Sequence, residues 1–93
     1  MKTYIAGAVT DVENYKELFD EAARELIEKG LDPVLPIDLP HQHDKRWTSY
    51  MRECLTLLLD CDAIYMLKNY RDSKGAKVEY DLAKVLGLKI IMQ

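Results

Sequence analysis

The residues from Gly75 to Leu86 repeat at helical spacing. One face of that repeat collects Gly75, Ala76, Glu79, Leu82, Ala83 and Leu86. Five of the six are small or apolar and the sixth is a carboxylate. Acidic side chains are almost never buried without a partner. A buried carboxylate on an inward face beside a ligand crevice is a functional candidate on physical grounds. The structural alternative is an acid that gains from the positive end of the helix dipole and pairs with a lysine or a backbone donor.

Other stretches carry chemistry with less force. The run "AGAVTD" lets backbone amides from Gly7 to Asp11 approach a phosphate or sugar at a helix start, although a plain strand-to-helix turn reads the same way. "DSKG" offers Asp72 and Ser73 either as helix caps or as contacts to a sugar or phosphate. "PHQHD" sets His41, His43 and Asp44 together. No distant partner completes a metal set with them, so no metal site is assigned. Cys54 and Cys61 sit about two helical turns, ~10 Å, apart on one predicted helix, too far for a disulfide. They read as buried thiols in a reducing, cytoplasmic setting.

The elements that must position these residues are legible from periodicity. "TYIAGAV" is a buried strand over about residues 2 to 7. "TDVE" follows as a capping box, with Thr10 as N-cap and Glu13 at N3. Tyr15, Leu18, Phe19, Ala22, Ala23, Leu26 and Ile27 then mark a helix that Gly30 ends. "LDPVLPI" is a short strand whose prolines suit a sheet edge. After a polar loop, Asp44 stands as cap of a helix running to about Leu59, with Trp47, Tyr50, Met51, Cys54, Leu55 and Leu58 inward. "DAIYML" is a strand buried on both faces, as in a parallel sheet. The helix bearing Glu79 ends at Gly87, and "LKIIM" is the last strand. Tyr4 lies on the first strand and points opposite to Ile5.

The order βαβαβαβ predicts an α/β fold: a flavodoxin- or Rossmann-like three-layer sandwich around a four-stranded parallel sheet, with residues 1–93 as one domain. Ligands bind such sheets beyond the carboxyl ends of the strands, where the strand order reverses. Three loops are expected to meet there: Gly7 to Asp11, Ile37 to Asp44, and Lys68 to Gly75. Glu79, in the second turn of the helix after the third loop, falls at the mouth of that crevice.

Composition narrows the field of partners. The chain has 93 residues, 48% apolar and 31% charged, with a net charge of -3, which fits an ordinary globular domain. No basic stripe points to a nucleic-acid polymer. No apolar run approaches the ~20 residues that span a bilayer, and no signal peptide is evident. A chain of this size buries only about 60–65% of its unfolded surface. The helix around Trp47, Tyr50 and Met51 also carries more large apolar side chains near its start than one sheet face needs. A homodimer or larger homo-oligomer is therefore expected.

"TYIAGAVTD" at the start, with "CDAIYML" and "DSKGAKVEYDLAKVLGLKII" later, resembles the nucleoside 2-deoxyribosyltransferase superfamily, most of all its small branch found in bacteria and phages. The resemblance covers nearly the whole chain. Its most specific part is Asp62 at the start of the third strand, then a loop, then a Gly-x-x-x-Glu helix start at Gly75 and Glu79. It implies that Glu79 attacks the anomeric carbon of a nucleoside and forms a glycosyl ester, as in a retaining glycosidase. It implies that Tyr4 holds that carboxylate by a hydrogen bond. It places Gly7, Ala8, Thr10, Asp11, Asp72, Ser73 and Gly75 around the sugar and any 5′-phosphate, and it calls for no cofactor or metal. The partner implied is a small nucleoside or nucleotide.

Two departures bear on activity. Eight residues before Asp62, where the family carries an aspartate, this chain has Cys54. A thiol handles protons on a departing base poorly. Ala76 replaces the family's threonine after the glycine. The expected function is cleavage or transfer at the N-glycosidic bond. The alternative is a non-catalytic binder that sequesters a nucleotide, in a phage an immune signal. A third is a structural module in which Glu79 only pairs with a cation.

Overall fold

The computed structural model describes residues 1–38 and 46–93. Strand β1 (Lys2–Ala6) leads to helix α1 (Tyr15–Glu28) and strand β2 (Asp32–Val34). A single 3-10 turn (Pro36–Asp38) precedes helix α2 (Trp47–Leu59) and strand β3 (Ala63–Met66). A second 3-10 turn (Tyr70–Asp72) then precedes helix α3 (Lys74–Leu86) and strand β4 (Lys89–Met92). The strands form one sheet in the order β2-β1-β3-β4, and each neighbouring pair is parallel. The expected α/β architecture is the one observed, with the proline-containing β2 at an edge as its chemistry requires.

Alternation along the strands divides the core into two layers. Tyr4 pairs in register with Ile64, and Ile64 with Ile90. Their side of the sheet packs on Cys54 and Leu58 of α2 and on Ala76 and Ala83 of α3. Ile5 and Tyr65 face the other way, onto Phe19, Ala22 and Leu26 of α1. One helix covers one face and two cover the other, as right-handed crossovers in this strand order demand. The central strand β3 is buried throughout.

Helix ends follow local chemistry. The Ser73 hydroxyl caps α3 by accepting the Ala76 N–H at 3.1 Å. Gly87 closes the helix in the left-handed region at φ 73°, a conformation glycine adopts without steric cost. The N-terminus of α1 departs from expectation. The Thr10–Glu13 capping box does not form. The helix begins at Tyr15 with Asn14 at its N-cap and no side-chain cap bond. Asp11 takes φ 62°, which turns the chain out of a helical path between Thr10 and Glu13. Aspartate tolerates that region better than most residues.

Trp47 and Tyr50 also depart from expectation. They are 46% and 45% exposed rather than inward, because the start of α2 faces an open cavity instead of a packed layer. Ile27 is exposed at the margin of the α1 stripe, and Leu86 at the last residue of α3. The expected cap at Asp44 falls outside the described residues. The first described residue before α2 is Arg46, at its N-cap.

The turn after β1 is built on a close approach. A Cβ at Gly7 would stand 2.4 Å from Cδ1 and 2.8 Å from Cγ of Leu67. Leu67 is itself buried and its N–H bonds the Ala6 carbonyl at 2.9 Å, so it has little room to yield. Gly7→Ala is expected to destabilise the fold by about 1–3 kcal/mol through overpacking. A thermal melt checks this, the expected fall being roughly 4–8 °C per kcal/mol for a domain of this size.

Candidate active site

A cavity of about 640 Å³ opens at the carboxyl end of the sheet, lined by residues that follow β1 and β2 and by the starts of α2 and α3. Its volume lies within the range of about 300–1,000 Å³ usual for small-molecule sites. The described ends of all three expected loops reach it: Gly7 to Thr10 after β1, Pro36 and Ile37 after β2, and Asp72 to Gly75 before α3. The first and third loops are tied together where the Ala8 N–H donates to Oδ1 of Asn69 at 3.0 Å. That amide is thus already engaged, which weakens the reading of the first loop as a bare phosphate cradle.

Glu79 stands at the inner wall. It comes from the second turn of α3, is 6% exposed, and its Oε2 accepts a hydrogen bond from the hydroxyl of Tyr4. Tyr4 sits on β1 with no solvent exposure. The two residues are 75 positions apart in sequence and meet because β1 is central and α3 crosses the same face of the sheet. Burial pushes the Glu79 carboxyl up to about 7, against the Tyr4 hydrogen bond that favours its charged form. Burial and the negative charge of Glu79 raise the Tyr4 phenol well above its ordinary value.

Cys54, from the third turn of α2, lines this inner wall with Tyr4 and Glu79. Its thiol is pushed up to about 11, first by burial and then by Glu79. Both cysteines are buried and free, in keeping with their spacing. Cys54 and Tyr4 therefore keep their protons at neutral pH, and Glu79 is the group that titrates there.

The remaining expected residues divide cleanly. Gly7, Ala8, Thr10, Asp72, Ser73 and Gly75 all line the cavity. Asp11 does not; it is exposed at the turn before α1. Gly75 is a packing residue as well, since a Cβ there would lie 3.0 Å from the Met51 sulfur. Asp62 serves the opposite end of the sheet, where its Oδ2 accepts the Lys2 N–H at 3.1 Å. His41, His43 and Asp44 lie outside the described residues. Among the described residues no cluster of three or more His, Cys, Asp or Glu could hold a metal, and no helix is long and apolar enough to cross a membrane.

Sequence reasoning missed the outer wall. Tyr15, Trp47, Tyr50 and Met51 line the cavity, and the ammonium of Lys74 rests 4.4 Å from the centre of the Trp47 ring. The signal is the excess of large apolar side chains at the start of α2, which fits a cavity wall as well as a subunit contact.

Titration of Glu79 should be visible in stability. A carboxyl whose folded pKa of about 7 exceeds its ordinary 4.5 binds a proton more readily in the folded state. Its contribution is fully present below about 4.5 and is lost as pH rises through about 7. Wild type should therefore lose stability between pH 5 and 8 relative to Glu79→Gln, by on the order of 2–3 kcal/mol. Melting temperatures of both proteins across that range check it.

A family model described as "Domain of unknown function (DUF4406)" matches residues 1–92. No curated protein matches the chain significantly in sequence. A solved structure of a 2-deoxyribosyltransferase from Bacillus psychrosaccharolyticus superposes with a TM-score of 0.75 at 20% identity, covering 99% of this chain and 71% of that one. A conserved protein from Enterococcus faecalis V583 superposes with a TM-score of 0.72 at 21% identity. The match covers 99% of this chain and 62% of that protein's length. At these identities the likeness establishes a shared fold.

Proposed function

This chain belongs to the family described as "Domain of unknown function (DUF4406)", and we propose that it binds a nucleoside or nucleotide and cleaves or transfers at the N-glycosidic bond. The observation that carries this reading is the buried Glu79 carboxylate, held by the Tyr4 hydroxyl at the wall of a ligand-sized cavity. A carboxylate confined by one donor, with its other oxygen available, is suited to attack an anomeric carbon. In the first step Glu79 bonds to C1′ as the C1′–N bond breaks. In the second, water or an acceptor base displaces the ester and frees the carboxylate, as in retaining glycoside hydrolysis. Tyr4 acts as a positioning residue. It fixes the orientation of Glu79 and, by donating to the charged form, limits how far burial raises its pKa. In this reading Ser73, Asp72 and Gly75, which line the cavity, contact the sugar or a 5′-phosphate. The fold shared with a solved 2-deoxyribosyltransferase supports the same reading.

A second reading is favoured by Cys54. Its proton-retaining thiol beside Glu79 suits a protein that holds a nucleotide without cleaving it. Incubation with a mixed pool of nucleosides and nucleotides separates the two. Free base and sugar, or exchanged base, are expected from the first reading, and unaltered bound ligand from the second. Neither conversion nor binding would leave Glu79 with a structural role.

A further inference from the structure

The outer wall of the cavity is aromatic and only half covered. Trp47 and Tyr50 are 46% and 45% exposed, with Tyr15 beside them in the lining. Planar side chains grouped at a cavity mouth suit a planar ligand ring. The wall also attracts positive charge, since the exposed Lys74 side chain already places its ammonium over the Trp47 ring. Tryptophan is the strongest of the side chains in holding a cation over its face. Among the described residues the lining contains two carboxylates, Asp72 and Glu79, and one ammonium, that of Lys74.

The inner wall points the same way. When a neutral purine leaves C1′, the electron pair of the broken bond builds negative charge on the ring, and a positioned acid must deliver a proton. Among the described residues the Tyr4 phenol donates to Glu79 and the Cys54 thiol lines the same wall; burial raises both above their ordinary values, so both hold their protons at neutral pH. A heterocycle that is already cationic has no such need, because the electron pair simply neutralises its charge.

We propose that the site selects N-glycosides whose leaving heterocycle carries a positive charge before cleavage, a pyridinium or an N7-alkylpurinium, and that it seats this ring on the wall formed by Trp47 and Tyr50. The proposal rests on the reading of Glu79 as nucleophile. The Glu79 oxygen bonds to C1′, the C1′–N bond breaks, and its electron pair stays on the departing neutral base. Water then attacks C1′, the ester C1′–O bond breaks, the carboxylate is restored and one proton passes to solvent. Lys74, which is exposed, yields its place over Trp47 to the incoming ring.

The test compares N7-methylguanosine with guanosine, in ribo and 2′-deoxy forms, on wild type, Glu79→Gln and Trp47→Leu. Wild type is expected to show a kcat/KM for the methylated substrate at least about 10²-fold higher, the size of a missing general-acid contribution. Trp47→Leu, a change at a half-exposed position, is expected to raise KM for the methylated substrate by about tenfold, in line with a partly desolvated cation–π contact, with kcat little altered. Guanosine cleaved within tenfold of its methylated form, or a KM unmoved in Trp47→Leu, overturns the proposal while leaving Glu79 as nucleophile. Cleavage that persists in Glu79→Gln, or no cleavage of any of these substrates by wild type, overturns the reading beneath it.

Discussion

Glu79→Gln is expected to lower N-glycosidic cleavage by at least about 10³, the order of loss seen when a covalent nucleophile is removed. The amide keeps the size of the side chain and still accepts the Tyr4 hydroxyl, so the buried donor is not left unpaired. The α3 face that carries it is otherwise small and apolar, with Ala76 and Ala83 buried on either side. Folding and ligand affinity should therefore survive, and the loss should fall on kcat. Wild-type cleavage should rise with pH through about 7, as the raised carboxyl ionises, and the variant should lack that rise. Single-turnover rates and equilibrium binding on the same samples check both parts. A variant that binds ligand as wild type does and still cleaves it would remove Glu79 from the chemistry.

Cys54→Asp is the second large effect, in the opposite direction. It places a carboxylate on the wall shared with Glu79 and Tyr4, where the thiol now holds its proton. Two carboxylates at such proximity resist joint ionisation, so one of them keeps a proton into the neutral range. That proton can pass to a departing neutral base, and such transfer is worth about 10²–10⁴ in rate. Cleavage of neutral nucleosides should rise accordingly. A cationic substrate, which needs no proton, should gain little. The same change should push Glu79 above its present value of about 7 and move the pH–rate profile upward. Cys54→Asn separates the proton from the change of shape, because it fills similar space with nothing to donate at this pKa. A protein that only sequesters its ligand would respond differently: affinity for anionic nucleotides would fall by repulsion, with no turnover gained. Rates and affinities for wild type and both variants decide between these outcomes. A wild-type rate that Cys54→Asp fails to improve would show that the thiol limits nothing.

Part of this site is legible in the sequence. Ser73 and Gly87 bracket α3, and its small, apolar face singles out Glu79, because a carboxylate there breaks the pattern every neighbour obeys. Tyr4 as the partner of Glu79 came only with the resemblance to the nucleoside 2-deoxyribosyltransferase superfamily, because periodicity does not state the strand order β2-β1-β3-β4 that sets β1 in the middle of the sheet. What was not legible has a physical cause in each case. The Thr10–Glu13 pattern fits a capping box, but a single residue, Asp11, at positive φ redirects the chain, and the start of the helix moves to Tyr15. Local sequence does not report which of two turn geometries the tertiary packing selects. Helical periodicity puts Trp47 and Tyr50 on the inward face of α2 without saying what lies opposite. A packed layer and an open cavity ask for the same large side chains at the same spacing, and only the exposure of these two residues distinguishes them.

The most direct measurement is the trapping of the glycosyl ester. A 2-fluoro-2-deoxynucleoside slows both steps, and a good leaving group such as N7-methylguanine restores the first, so the intermediate accumulates. Intact mass spectrometry of wild type should show the addition of one fluorinated sugar, and peptide mapping should place it on Glu79. Tyr4→Phe should acquire it more slowly and Glu79→Gln not at all. A substrate consumed with no adduct on any residue, or an adduct mapped to a side chain other than Glu79, would contradict the account.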